Sequence, residues 1–356
     1  MNGTSLQTSK RVASLDLLRI LACCFVIFIH VCSNSWKEIA VDTPGWQTMN
    51  VFDNLAHCAV PLFLMISGYF FLSKDQPIKL SVLFKKYILH LFVVFCVWDF
   101  LYAVDSAGLH SLVSFDGWKD IIIHCLKLKY HLWFLTKMIA AYLLLPLLWI
   151  IAHHENGKYV KYFCIIWLLF YISVNTVFLL PIPEVAVKFA RRFVLELGSF
   201  PGYMLLGYYL ASNPLKKVKN IWWIGGFILI TICMSAYNSY FSLKAGKAQD
   251  DVMSTSMLPT CIQAICLFAV FYRMKDSAFL NKHEKALTSL SACTLGIYLL
   301  HPFVLEHISD WLHISVHELP IPAILSVPAI SLGTFAVCTL VIMLIRRIPI
   351  LSKWII

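Results

Sequence analysis

The chain has 356 residues, of which 60% are apolar and only 13% charged, and its mean hydropathy is +0.76. Soluble globular chains carry about a quarter charged residues, so a water-surrounded globule is excluded and lipid is expected as the outer solvent. The formal charge of +10 reads as the basic loops of a membrane topology, and no polar domain is available to offer a basic face to nucleic acid.

The expected fold is all-α, a polytopic membrane protein with about ten transmembrane helices forming one domain over residues 1–356 and no soluble domain. In chain order the apolar segments are Leu15–Ser33, Val51–Leu72, Val82–Val104, His131–Ala152, Tyr162–Leu180, Phe189–Leu210, Ile221–Phe241, Met253–Tyr272, Leu287–Glu306 and Ile321–Ile345. Each is near the roughly 20 residues that cross a hydrocarbon core. With the N-terminus inside, the inner loops hold eighteen Lys and Arg residues against nine outside, which predicts both termini in the cytoplasm. No cleavable signal peptide is expected. Twelve cysteines lie almost entirely within apolar runs, so no disulfide framework is predicted.

The first segment, "DLLRILACCFVIFIHVC", keeps Asp16, Arg19 and His30 in a place where an ionisable group is expensive. Eleven helical steps separate Arg19 from His30, which puts both on one face with their Cα atoms about 16.5 Å apart along the axis. Asp16 lies three residues before Arg19 and is placed to pair with it. Snorkelling of Arg19 to phosphates and an ordinary interhelical bond from His30 are the alternatives.

In the second segment Asp53 and His57 are four residues apart, a spacing that lets a carboxylate hold an imidazole in one tautomer; a simple interfacial pair is the alternative. Ser67-Gly68 lacks the strand-turn-helix of a nucleophile elbow and reads instead as close helix packing. Lys79, Lys85 and Lys86 precede or open the third segment. The loop after it contains "GWKDIIIHCLKL", a candidate amphipathic interface helix. Tyr130, His131 and Trp133 head the fourth segment, either as membrane-boundary anchors or as a sugar-stacking surface. Arg191 and Arg192 lie at the outer end of the sixth against the charge bias, either gripping an anionic acceptor or snorkelling. In the ninth, His301 follows Tyr298 by three residues. It either lines an acceptor site beside His30 or bonds a helix end freed by Pro302. No His and carboxylate set has metal-ligand spacing, so no metal is predicted.

Four stretches carry a resemblance: "SLDLLRILACCFVIFIHVCS", "VPLFLMISGYFF", "KYHLWFLTKMIAAYLLLPLL" and "LGIYLLHPFV". Together, in this order, they resemble the membrane acyltransferase type 3 family, whose hallmark of an arginine, ten residues and a histidine is matched by Arg19 and His30. The resemblance implies an integral enzyme of the cell membrane that carries an acyl group, often acetyl, from a cytoplasmic donor to a sugar hydroxyl across the bilayer. The family often has Arg-x-x-Arg on the third helix; this chain has Lys85-Lys86 instead. Some members add a secreted hydrolase-like domain; its absence here points to a stand-alone enzyme acting on a glycan or lipid-linked sugar.

Acyl transfer needs a base for the hydroxyl, a stabiliser for the oxyanion and a donor within reach. His30 is the expected base, since an imidazole titrates near neutral pH, with Arg19 as the second catalytic residue. Coenzyme A phosphates are expected at Arg19, Lys79, Lys85 and Lys86, acetyl-CoA being the co-substrate. His301, Tyr298, His57, Asp53, His131, Trp133, Arg191 and Arg192 are expected to line the acceptor site. Direct attack and an acyl-histidine intermediate both fit. A transporter or flippase of a glycan intermediate is the main alternative, since Pro146, Pro201 and Pro259 also suit broken helices.

Overall fold

The structure is a computed structural model, described over residues 11–179, 183, 185, 187, 198–212, 218–349 and 351–352. Among the described residues there are helices, turns and loops and no strand. In chain order the main helices are α1 (Ala13–Ser35), α2 (Pro44–Ala56), α3 (Ala59–Leu72), α4 (Leu80–Ala107), α5 (Phe115–Lys127), α6 (Trp133–Leu143), α7 (Leu145–His153) and α8 (Lys158–Val177). They continue with α9 (Ser199–Ser212), α10 (Asn220–Ala245), α11 (Leu258–Arg273), α12 (Glu284–Ser291), α13 (Thr294–Leu312) and α14 (Ala323–Ile345).

Six of these stretches are long and apolar enough to cross a membrane: α1, α2 with α3, α4, α8, α10 and α14. Two bent pairs, α6 with α7 at 53° and α12 with α13 at 51°, bring the number to as many as eight. The expectation of ten spans is thus met only as six to eight by length. The reason is local: α11 has 16 residues, and α9 has 14, the segment before it lying outside the described residues. Large side chains such as Trp222, Leu229, Leu325 and Leu340 are exposed on the outer surface, as expected where lipid is the solvent and each span must satisfy its own backbone.

The helix limits follow from the sequence. Pro44 opens α2 behind Thr43, whose hydroxyl accepts from the Trp46 N–H at 3.3 Å, the usual N-cap with proline in the first turn. Ser114 caps α5 in the same way through the Gly117 N–H at 3.0 Å. Helix α5 is the expected amphipathic segment, exposing Trp118, Ile122 and Leu126. Gly246, at φ +65°, ends α10 with the Lys247 N–H donating to the Ser242 carbonyl at 3.2 Å, a close that L side chains disfavour. Pro146 sits in the first turn of α7, where its missing N–H and its ring break the helix begun by α6.

Chain direction alternates, so the bundle has an Arg19 end and a His30 end. At the first, Phe71 meets Tyr87 and Tyr142 with ring centroids 5.1 Å apart in each pair, and Trp149 Nε1 donates to the Lys74 carbonyl at 2.8 Å. At the second, Lys129 pairs with Glu306 at 2.7 Å and His307 with Asp105 at 3.0 Å. Helix α1 is the hub, 61% buried against 22–28% for α4, α8, α10 and α14. Helices α3 and α9 approach to backbone contact. A Cβ on Gly68 would lie 2.0 Å from the Met204 carbonyl oxygen, and one on Gly207 would lie 2.2 Å from that of Met65. The small-residue packing expected at Ser67-Gly68 is what the structure has.

Candidate active site

Arg19 and His30 both turn toward the broken pair α12–α13. Arg19 Nη1 lies 3.5 Å from Ser291 Oγ of α12 and 3.8 Å from Asp16 Oδ1, and its guanidinium lies over the Phe70 ring, 5.4 Å from the centroid. Asp16 is buried and also accepts from Ser291 Oγ at 2.8 Å and Thr288 Oγ1 at 3.0 Å. A carboxylate in an apolar bundle is tolerable when it is paired and hydrogen-bonded. Here that requirement ties the first turns of α1 to α12 and holds Arg19 in place.

A cavity of about 1210 Å³ starts at these residues. Arg11, Arg19, Lys74 and Lys86 line it, against the carboxylates Asp16 and Glu284. Four cations against two anions at a mouth give a field that draws anions. The walls then become aromatic and apolar, with Phe63, Phe71, Tyr87, Leu91, Met138 and Tyr142, and the far limit is set by Phe134, Leu295 and Tyr298. Lys86 contributes to the wall from a π-helical turn, Leu83–Ile88, inside α4. Its neighbours Lys85 and Lys79 do not line the cavity.

Beyond Tyr298 lies a cluster of imidazoles and phenols. The His30 ring is 5.0 Å from His301 and 5.1 Å from Tyr130. His131 is 5.9 Å from His301 and 5.6 Å from Tyr130. Tyr298 packs against both His131 and His301, at 5.7 and 5.8 Å, and against Phe134 at 5.3 Å, and its hydroxyl donates to the His131 carbonyl. His30 does not itself line the cavity, whereas Tyr298, which packs on the His301 ring beside it, does. His131 and His301 are fully buried.

The tautomer of His301 follows from its partner. Pro302 has no N–H, so the Tyr298 carbonyl loses its helical donor. His301 Nδ1 lies 2.7 Å from that oxygen, and a carbonyl only accepts, so Nδ1 carries the proton and Nε2 keeps its lone pair. His301 Nε2 is buried and has no protein hydrogen-bond partner. The bond to a carbonyl freed by Pro302, one of the two readings raised by the sequence, is thus made by Nδ1, and the ring lies beside His30.

His57 Nδ1 lies 3.1 Å from Asp53 Oδ1 and 3.0 Å from the Asp53 carbonyl oxygen, a pair at the C-terminal end of α2. Trp133 packs against Phe134 and Phe200 at 6.3 and 6.1 Å and is 40% exposed, outside the cluster. Arg191 and Arg192 lie outside the described residues. Sequence reasoning passed over Tyr102 and Lys129. Tyr102 meets His131 edge-on at 5.0 Å, and the Lys129 ammonium lies 5.4 Å from the centroid of the Tyr102 ring. Tyr102 lies near the end of an apolar span, and only the fold reveals that its hydroxyl meets the backbone of α13 beside Pro302.

Over residues 12–343 the sequence matches the acyltransferase type 3 family, described as an acyltransferase domain. The chain belongs to this family. No curated protein and no solved structure matches it. As a member of the acyltransferase type 3 family it is a membrane acyltransferase, built from several apolar helices with nearly the whole chain in the family domain. Among the described residues no group of three or more His, Cys, Asp or Glu side chains has the arrangement of a metal site.

Proposed function

We propose that this acyltransferase moves an acyl group, acetyl in the simplest case, from cytoplasmic acyl-CoA to a hydroxyl of a cell-surface glycan or lipid-linked sugar on the far side of the cell membrane. Both termini then lie in the cytoplasm. The observation that carries the reading is the cavity that begins among Arg11, Arg19, Lys74 and Lys86 and ends at Tyr298, directly below the His30–His131–His301 cluster. Its charge suits the phosphates of coenzyme A, and its apolar upper part suits a thin pantetheine arm. The axial distance from Arg19 to His30, about 16.5 Å, is then the length that the arm must span.

In this mechanism His30 removes the proton of the acceptor hydroxyl, and the oxygen attacks the thioester carbonyl. The new C–O bond forms, the C–S bond breaks, and the proton returns to the thiolate to give free coenzyme A. His301, with its lone pair fixed on Nε2, and Tyr298 order the space in which the acceptor hydroxyl meets the thioester. The Asp53–His57 pair, Trp133, His131, Arg191 and Arg192 are assigned to the acceptor side, and Lys79 and Lys85 to the basic approach on the donor side.

Membranes that retain the cell's own glycans, supplied with labelled acetyl-CoA, test the assignment. The wild-type protein is expected to release free thiol and leave ester label on the glycan, and His30→Ala is expected to abolish both at equal protein level. Undiminished transfer by His30→Ala removes His30 from the chemistry. Passage of an unaltered glycan with no ester formed assigns the chain to transport instead.

A further inference from the structure

Helix α13 passes the histidine cluster at Pro302, which lies inside the helix. Two carbonyls are affected there. That of Tyr298 has no N–H opposite, because residue 302 is proline, and the His301 ring satisfies it. The next carbonyl, that of Leu299, faces the Phe303 N–H across the turn that the proline ring crowds. The hydroxyl of Tyr102, from α4, reaches this turn. It donates to the Leu299 carbonyl at 2.7 Å and accepts from the Phe303 N–H at 3.3 Å, so one hydroxyl bonds both ends of this rung. Tyr102 is buried, and its ring also packs on His131.

We propose that Tyr102 is a positioning residue, whose hydroxyl rebuilds the α13 hydrogen-bond ladder across Pro302 and thereby aims His301 Nε2 at His30. The proposal rests on the acyl-transfer reading above. Without that hydroxyl the Leu299 carbonyl and the Phe303 N–H lose the partner they share. The turn that carries His301 must then tighten to bond these groups to each other, which moves the imidazole, or leave the Phe303 N–H without that partner. An aimed side chain is sensitive to small displacements, since an ångström of misplacement at a reacting centre lowers rates by large factors.

The experiment is a double-mutant cycle on ester formation in membranes supplied with labelled acetyl-CoA. Tyr102→Phe keeps the ring and removes the hydroxyl. It is expected to lower kcat about tenfold while the KM for acetyl-CoA stays within about twofold. Pro302→Ala restores an N–H and lets α13 close its own ladder, so the hydroxyl becomes dispensable. Pro302→Ala with Tyr102→Phe is therefore expected to be no slower than Pro302→Ala alone. Additive losses, or Tyr102→Phe activity equal to wild type, would overturn the proposal while leaving acyl transfer intact. Wild-type membranes that form no ester overturn the acyl-transfer reading itself.

Discussion

Gly207→Ala tests whether the contact between α3 and α9 shapes the site. A Cβ at residue 207 would stand 2.2 Å from the Met65 carbonyl oxygen, whereas ordinary contact begins at 3.4 Å, so the backbones must part by about 1.2 Å. The obstacle is main chain on a rigid helix, so no side chain can swing away, and the cost falls at the upper end of the overpacking range, about 3 kcal/mol. In a chain of this size that corresponds to an apparent melting temperature lower by about 5 °C. Helix α3 also carries Phe63, Ser67, Phe70 and Phe71 into the cavity wall, so acyl transfer should fall with stability. The assay is thermal unfolding in detergent read by a thiol-reactive dye, because eight of the twelve cysteines are buried and become reactive only on unfolding. Gly225→Ala is the control. Nothing lies within 4 Å of its added methyl, so the only change is the better helix propensity of alanine, about 1 kcal/mol in favour of the helix. A Gly207→Ala protein that melts within about 1 °C of wild type would show that these helices are not held at backbone contact.

Arg19→Gln is expected to raise the KM for acetyl-CoA about tenfold, the scale of one lost charge-assisted contact, while Asp16 keeps its bonds to Ser291 and Thr288 and the protein stays folded; initial rates against donor concentration check both halves. Lys86→Ala should also raise the donor KM, and by more than Lys79→Ala or Lys85→Ala, whose side chains serve the approach from off the cavity wall. Tyr298→Phe removes the hydroxyl that holds the His131 carbonyl and should lower ester formation about tenfold with the donor KM unchanged, as measured in the same membranes.

Much of the architecture was legible in the residues. Hydropathy alone placed helical segments, because in lipid the backbone must bond within each span and apolar length is a direct consequence. The spacing of Arg19 and His30 fixed their common face, and Asp16 and the Asp53–His57 pair fell within i,i+3 and i,i+4 reach. Span number was less legible. A proline at 146 announces a break but not a 53° bend, and a 16-residue helix such as α11 is shorter than its apolar run.

The sequence by itself determined the helical membrane class, the rotation of Arg19 and His30 about α1, and the family, since all of these depend on local periodicity and ordered motifs. Only the tertiary structure decided which residues meet across helices. It brought His301 and Tyr130 to His30 with His131 and Tyr298 packed behind them, set Lys86 on the cavity wall while Lys85 stayed off it, and carried Tyr102 to the turn of α13 at Pro302. Such neighbours are about 100 to 270 residues apart along the chain, as Tyr102 and Leu299 or Arg19 and Ser291 are. Their meeting depends on how whole helices pack against one another, by a glycine contact here and a proline bend there, and that is a property of surfaces in three dimensions that no spacing within one helix encodes.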